Sequence, residues 1–277
     1  MLNQFKVGSC MLAVVMAAAL PNASFGQNAP DQDGANAEVT ISSTAPEVVS
    51  ILERLEQAGK DIKTIRCKVE FKTEDTLNIT ETTRYGSIQF KRAEPNPMFL
   101  VSFDKMVADG TVLRQKVWYL FRDRWLIEAN SKSQNRIDRE ILEPGEQADF
   151  FDLDKAPFPM PFGQKKEQIL KNFEVKLIPP QPGDPDDCDH LLCKPKDESG
   201  LARDYGRLDY YVSRKLNLPL RILVEDAPGT NLKVADFEDL TEKSINMDLP
   251  DSAFVLPKET DGYHKTTEPK RPQPPGE

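Results

Sequence analysis

Histidine is nearly missing from this chain of 277 residues, which has only His190 and His264. A multi-histidine metal centre is therefore excluded, and a Ser-His-Asp arrangement has almost nothing to be built from. There is no Cys-x-x-Cys pair and no glycine-rich phosphate loop. Beyond residue 26 no apolar run is long enough to span a bilayer. Positive charge is also short: 36 Lys and Arg face 45 Asp and Glu, a net charge of −9. That balance argues against nucleic acid or an anionic membrane surface as the main partner. Cysteine is scarce, with four in the chain.

What is present begins with an export signal. Lys6 precedes the apolar run Met11 to Leu20, and small residues follow to Gly26. Residues 1–26 read as a signal peptide cleaved near Gly26 or Gln27, which implies a periplasmic protein. VGSC at 7–10 has the look of a lipidation box but lies before the apolar run, where such a box does not function. Cleavage would leave about 250 residues, enough for one sizeable domain. It would remove Lys6, taking the net charge from −9 to −10, and would leave Cys67, Cys188 and Cys193. Cys67 sits in an apolar alternation and reads as a small buried hydrophobe. Cys188 and Cys193 are the expected disulfide, since an oxidising compartment permits one and the loop would be short.

Residues 27–44 are small, polar and without periodicity, a flexible leader. Val48, Ile51, Leu52 and Leu55 then recur at helical spacing between Pro46 and Gly59. From Ile65 the period changes to two, with Ile65, Cys67, Val69 and Phe71 alternating with charged residues. Further strands are expected in LNITETTRYGSIQFKR, PMFLVSFDKM, TVLRQKVWYLFRD and RWLIEAN, joined by turns at Glu74-Asp75, Pro95-Asn96-Pro97, Asp109-Gly110 and Arg122-Asp123. Connections this short require antiparallel pairing. A Pro- and Phe-rich loop leads to a short helix near Lys165 to Leu170. Strands resume at FEVKLIP, HLLCKPK, YGRLDYYVSRK, LPLRILVED, LKVADFEDLT and AFVLP. The domain spans 45–257, and the Pro-rich, charged residues 258–277 read as a disordered tail.

Two acidic clusters could carry chemistry. GDPDDCDH gathers Asp184, Asp186, Asp187, Asp189, Cys188 and His190, but lacks the spacing and closing Glu of a calcium loop, so a solvated connection is favoured over a metal site. DFFDLD at 149–154 offers paired carboxylates, yet nothing marks which would be desolvated. No nucleophile has a base beside it, so no enzyme, cofactor or metal is expected.

The remaining signal is an apolar band on the strands: Val69, Phe71, Ile88, Phe90, Phe99, Val101, Phe103, Val117, Tyr119 and Phe121. One helix stripe is too narrow to cover it. Either the sheet packs a dry core, or it wraps a cavity for an apolar ligand. The order of helix, Ile65–Phe71 strand, GSIQFKR before a proline turn, Asp109-Gly110 and the Trp118-Tyr119 strand resembles the periplasmic outer-membrane lipoprotein carrier (LolA) family. KLNLPLRILVED, followed by LKVADFEDLTEKSINMDLPDSAFVLP, resembles its closing hairpin, so the likeness covers residues 46–257. It implies a mainly β fold with helices (α+β), a strongly bent, unclosed antiparallel sheet forming a half-barrel under a helical lid. It further implies a monomeric carrier of lipidated proteins or lipids, working between an inner-membrane transporter and an outer-membrane receptor, with no nucleic-acid partner. Arg92 matches the family's K-R-P arginine, which hydrogen-bonds lid carbonyls and holds the empty cavity shut. The insert near Asp184 and APFPMPFG depart from that pattern. A second reading is an interaction module whose sheet is filled by its own side chains.

Overall fold

The computed structural model describes residues 45–147 and 162–270. The expected signal peptide, the leader and DFFDLD lie outside these residues. Helix α1 (Pro46–Asp61) opens the domain, and a proline in its first turn is pre-set for helical φ. The first seven strands are β1 (Thr64–Asp75), β2 (Thr80–Lys91), β3 (Met98–Ala108), β4 (Thr111–Leu113), β5 (Val117–Arg122), β6 (Trp125–Asn130) and β7 (Asn135–Glu140). Helix α2 (Lys166–Asn172) leads into β8 (Phe173–Ile178), β9 (Cys188–Pro195), β10 (Tyr205–Ser213), β11 (Pro219–Asp226) and β12 (Asn231–Glu238). β13 (His264–Glu268) closes the order.

The described strands form one sheet in the order β13-β7-β6-β5-β3-β2-β1-β12-β11-β10-β9-β8, with β4 paired to β3. Every pairing is antiparallel except β13 with β7. The two ends, β13 and β8, do not meet, so the sheet is unclosed as expected. Antiparallel hairpins follow from the turn chemistry. Asp109 and Gly110 take φ of 46° and 77°, and Asp123 takes 61°, the left-handed region that two-residue hairpins need. Between Tyr85 and Gly86 the β2–β3 register shifts, leaving Asp104 as an extra residue. A Cβ on Gly86 would lie 1.9 Å from the Ser102 carbonyl oxygen, so only glycine fits this bulge, which adds local twist.

Two apolar clusters occupy opposite faces. The larger, on the inner face, joins α1, α2 and alternate residues of β1–β3, β5 and β8–β12. The smaller, on the outer face, joins Met98, Leu100, Trp118, Leu120 and Ala129 to Leu249 and Phe254. Residues after β12 therefore form a strap across the back of the sheet.

Three expectations are corrected here. AFVLP is not a strand: Asp251–Ala253 is a short 3-10 turn that seats Phe254, fully buried, on the outer face. Of the tail expected to be disordered, residues 258–270 are folded, while residues 271–277 lie outside the described ones. Its β13 runs parallel to β7, fixed by Lys265–Asp138 at 2.9 Å, Arg139–Glu268 at 2.7 Å and Lys270–Glu146 at 2.6 Å. Backbone pairing and charge hold it, so it needed no apolar composition. Finally, Cys188 and Cys193 are free and buried. Both lie on β9 five residues apart, so their side chains leave opposite faces and their Cα atoms are separated by about 16 Å, far beyond disulfide reach.

Candidate functional site: a clamped helix over an apolar face

Cross-strand register brings the ten predicted residues together. Phe71 and Val69 on β1, Ile88 and Phe90 on β2, Phe99, Val101 and Phe103 on β3, and Val117, Tyr119 and Phe121 on β5 share the inner face. All ten are at most 5% exposed and belong to the large cluster. Phe99 stacks on Phe121 at 5.6 Å between ring centroids, and Phe71 tilts against Phe103 at 6.2 Å. Burial pushes the Tyr119 hydroxyl far above its ordinary range, and pushes the Cys67 thiol up to about 12. Cys67 is accordingly an inert core residue.

α1 buries Val48, Ile51, Leu52 and Leu55 into this cluster, as its periodicity requires. Its C-terminus has no glycine cap, leaving carbonyls that need donors from elsewhere. The basic pair at the end of β2 supplies part of the answer. Arg92 donates from Nε to the Ile62 carbonyl at 3.0 Å and from Nη2 to the Gly59 carbonyl at 2.9 Å. A guanidinium suits this because one fixed fork serves two acceptors and carries positive charge to the helix's negative end. Lys91, one residue earlier, emerges on the opposite face. Its ammonium donates to the Leu249 carbonyl at 2.9 Å and to Asp251 at 2.6 Å, fastening the strap. The period of two thus gives neighbouring cations two tasks: Arg92 holds the helix inside, Lys91 the strap outside.

Sequence reading missed several partners of this clamp. Asn246, at φ 56°, donates from Nδ2 to the Asp61 carbonyl at 3.1 Å and accepts from the Lys63 N–H at 2.6 Å. Its only sequence signal was that asparagine tolerates the left-handed region. Arg54 reaches from α1 to Asn217 at 2.7 Å and Asp189 at 3.1 Å. α2 is tied on by Lys166, whose backbone N–H donates to Glu56 at 2.9 Å and whose ammonium meets Glu53 at 2.8 Å. Gly59 lies so near Gly163 that a Cβ there would stand 2.0 Å from the Gly163 Cα. Between α1 and the β10–β11 turn runs a cleft of about 340 Å³, with Ala58, Ile62, Leu216 and Leu218 on its floor and Arg54, Asp61 and Asn246 around it. None of the ten band residues lines it.

The acidic insert has been taken up by other bonds. Asp189 pairs with Arg54 and Arg214, Asp184 accepts from the Gln181 N–H, and His190 meets Asp209 at 2.7 Å while stacking on Tyr211. Among the described residues no group of three His, Cys, Asp or Glu could hold a metal ion.

Against solved structures the chain is similar to the Pseudomonas aeruginosa MucA/MucB complex, at 15% identity and TM-score 0.43 over 77% of this chain and 62% of that one. It spans only about six tenths of that chain's length. A DUF1329 family protein from Desulfovibrio piger matches at 15% identity and TM-score 0.37, over 75% of this chain and 95% of that one. Mycobacterium tuberculosis lipoprotein LppX matches at 7% identity and TM-score 0.40, over 75% and 99%. No family model and no curated protein matches. No helix among the described residues is long and apolar enough to cross a membrane.

Proposed function

We propose that this is an exported, non-enzymatic carrier that holds the acyl chain of a lipid or lipidated protein against the inner face of the sheet, with α1 as part of a movable cover. The observation that supports it is the manner in which the cover is fastened. The end of α1 is held over an unclosed apolar face by Arg92 and Asn246 bonding to backbone carbonyls, contacts that exchange readily for water. Burying acyl CH₂ groups at about 0.8 kcal/mol each is ample drive for binding once the cover moves. A periplasmic location, hand-over between an inner-membrane transporter and an outer-membrane receptor, and a monomeric state belong to the same proposal.

A second reading has its own support. All ten band residues are at most 5% exposed, as in an interaction module whose sheet is filled by its own side chains. Lipid extraction from the natively purified protein, followed by mass spectrometry, separates the two. A carrier yields a stoichiometric lipid, and its Arg92→Leu variant retains a different amount; a filled module yields none from either.

A further inference from the structure

Arg84 lies on the inner face of β2, directly opposite Phe71 on β1 and Met106 on β3, two residues from Gly86. Phe71 is 1% exposed and part of the large apolar cluster, so the guanidinium stands at the margin of the apolar band. Among the described residues, Arg84 is the one arginine withdrawn from full exposure that has no hydrogen bond or ion pair. Arg54, Arg124, Arg136, Arg139, Arg207 and Arg221 each face a carboxylate. Arg66, Arg114 and Arg203, which have none, are exposed. A guanidinium taken partly out of water without a counter-charge loses hydration and recovers nothing. Burial accordingly weakens its charged form, and its one electrostatic neighbour of note is Tyr119, in the middle of the band.

We infer that Arg84 receives the anionic head of a single-chain amphiphile whose hydrocarbon tail lies along Phe71, Phe103 and Val117. This rests on the carrier reading and gives it a ligand class. The planar fork of arginine matches a carboxylate or a phosphate through paired hydrogen bonds. Of the other half-buried charges on this face, Arg139 is paired with Glu268, Lys233 has a partner of its own, and Glu128, opposite Tyr119, has the sign that repels such a head. The amphiphile is thereby oriented, with its head at Arg84 and away from β6.

The test compares a fluorescent sixteen-carbon carboxylate, its methyl ester and the corresponding alkyl phosphate on the full mature protein. Roughly tenfold tighter binding of an anion than of the ester is expected, since a charge-assisted pair is about twice as strong as a neutral one. Arg84→Gln should erase that preference, while Arg84→Lys should keep most of it. Preference for both anions, or for one of them, supports the inference and identifies the head group. Ester and anions binding wild type equally, or Arg84→Gln retaining the preference, overturns it while leaving the carrier reading intact. Failure of all three probes to bind overturns the carrier reading itself.

Discussion

Replacing Arg92 by leucine removes the donors at 3.0 Å and 2.9 Å that hold the Ile62 and Gly59 carbonyls. A protein hydrogen bond contributes about 0.5–1.5 kcal/mol net, and the lower half of that range applies because Arg92 is exposed. Adding a few tenths for the lost cation at the helix end gives about 1–2 kcal/mol. At tenfold per 1.4 kcal/mol, local opening of the last turn of α1 should become about 5- to 30-fold more frequent. The effect should stay local, because the Arg92 backbone N–H keeps its bond to the Lys63 carbonyl at 2.7 Å and the β1–β2 ladder is untouched. Hydrogen exchange reads this directly, with amides of residues 55–62 compared against those of β1 and β2. Unchanged protection in α1, or an equal loss in helix and strands, would refute the clamp.

Other consequences follow from the same geometry. Gly59→Ala should destabilise by about 1–3 kcal/mol in thermal melts because its Cβ would overlap Gly163. Helix propensity alone predicts the opposite sign, a gain near 1 kcal/mol, so stabilisation would show the close approach to be wrong. Phe254→Ala should cost about 3–5 kcal/mol in urea unfolding and expose Trp118, seen as a red-shifted emission; unmoved fluorescence would mean the strap does not cover it. Glu128 has its pKa raised, chiefly by burial, so the folded state binds the proton more tightly than the unfolded one. Its contribution to stability is present at low pH and lost as pH rises above the ordinary value of 4.5. Glu128→Gln should therefore be more stable than wild type near pH 7, with the difference vanishing by about pH 4; a gap independent of pH would contradict this.

The elements legible in the sequence were those with one face buried. β1 announces itself because Ile65, Cys67, Val69 and Phe71 must all turn inward, and α1 because four residues do so at helical spacing. β7 and β13 were missed for the converse reason. NRIDRE and HKTTE lie at the sheet's margin, where backbone pairing and ion pairs replace apolar burial and no alternation is imposed. Arg92 was legible through resemblance, but its partners were not: Asn246 and Gly163 lie 154 and 71 residues further along the chain, and contacts with backbone carbonyls or Cα atoms leave no mark on composition. The disulfide expectation failed because spacing in sequence was read as a loop where the chain runs straight.

The central claim is that the inner apolar face opens to admit a guest. A photoactivatable fatty acid incubated with the natively folded mature protein, followed by peptide mapping, tests that face directly. The account predicts saturable labelling within residues 99–103 and 117–121, reduced by unlabelled lipid. Labelling confined to the outer face or to the cleft beside α1, or none above background, would contradict it.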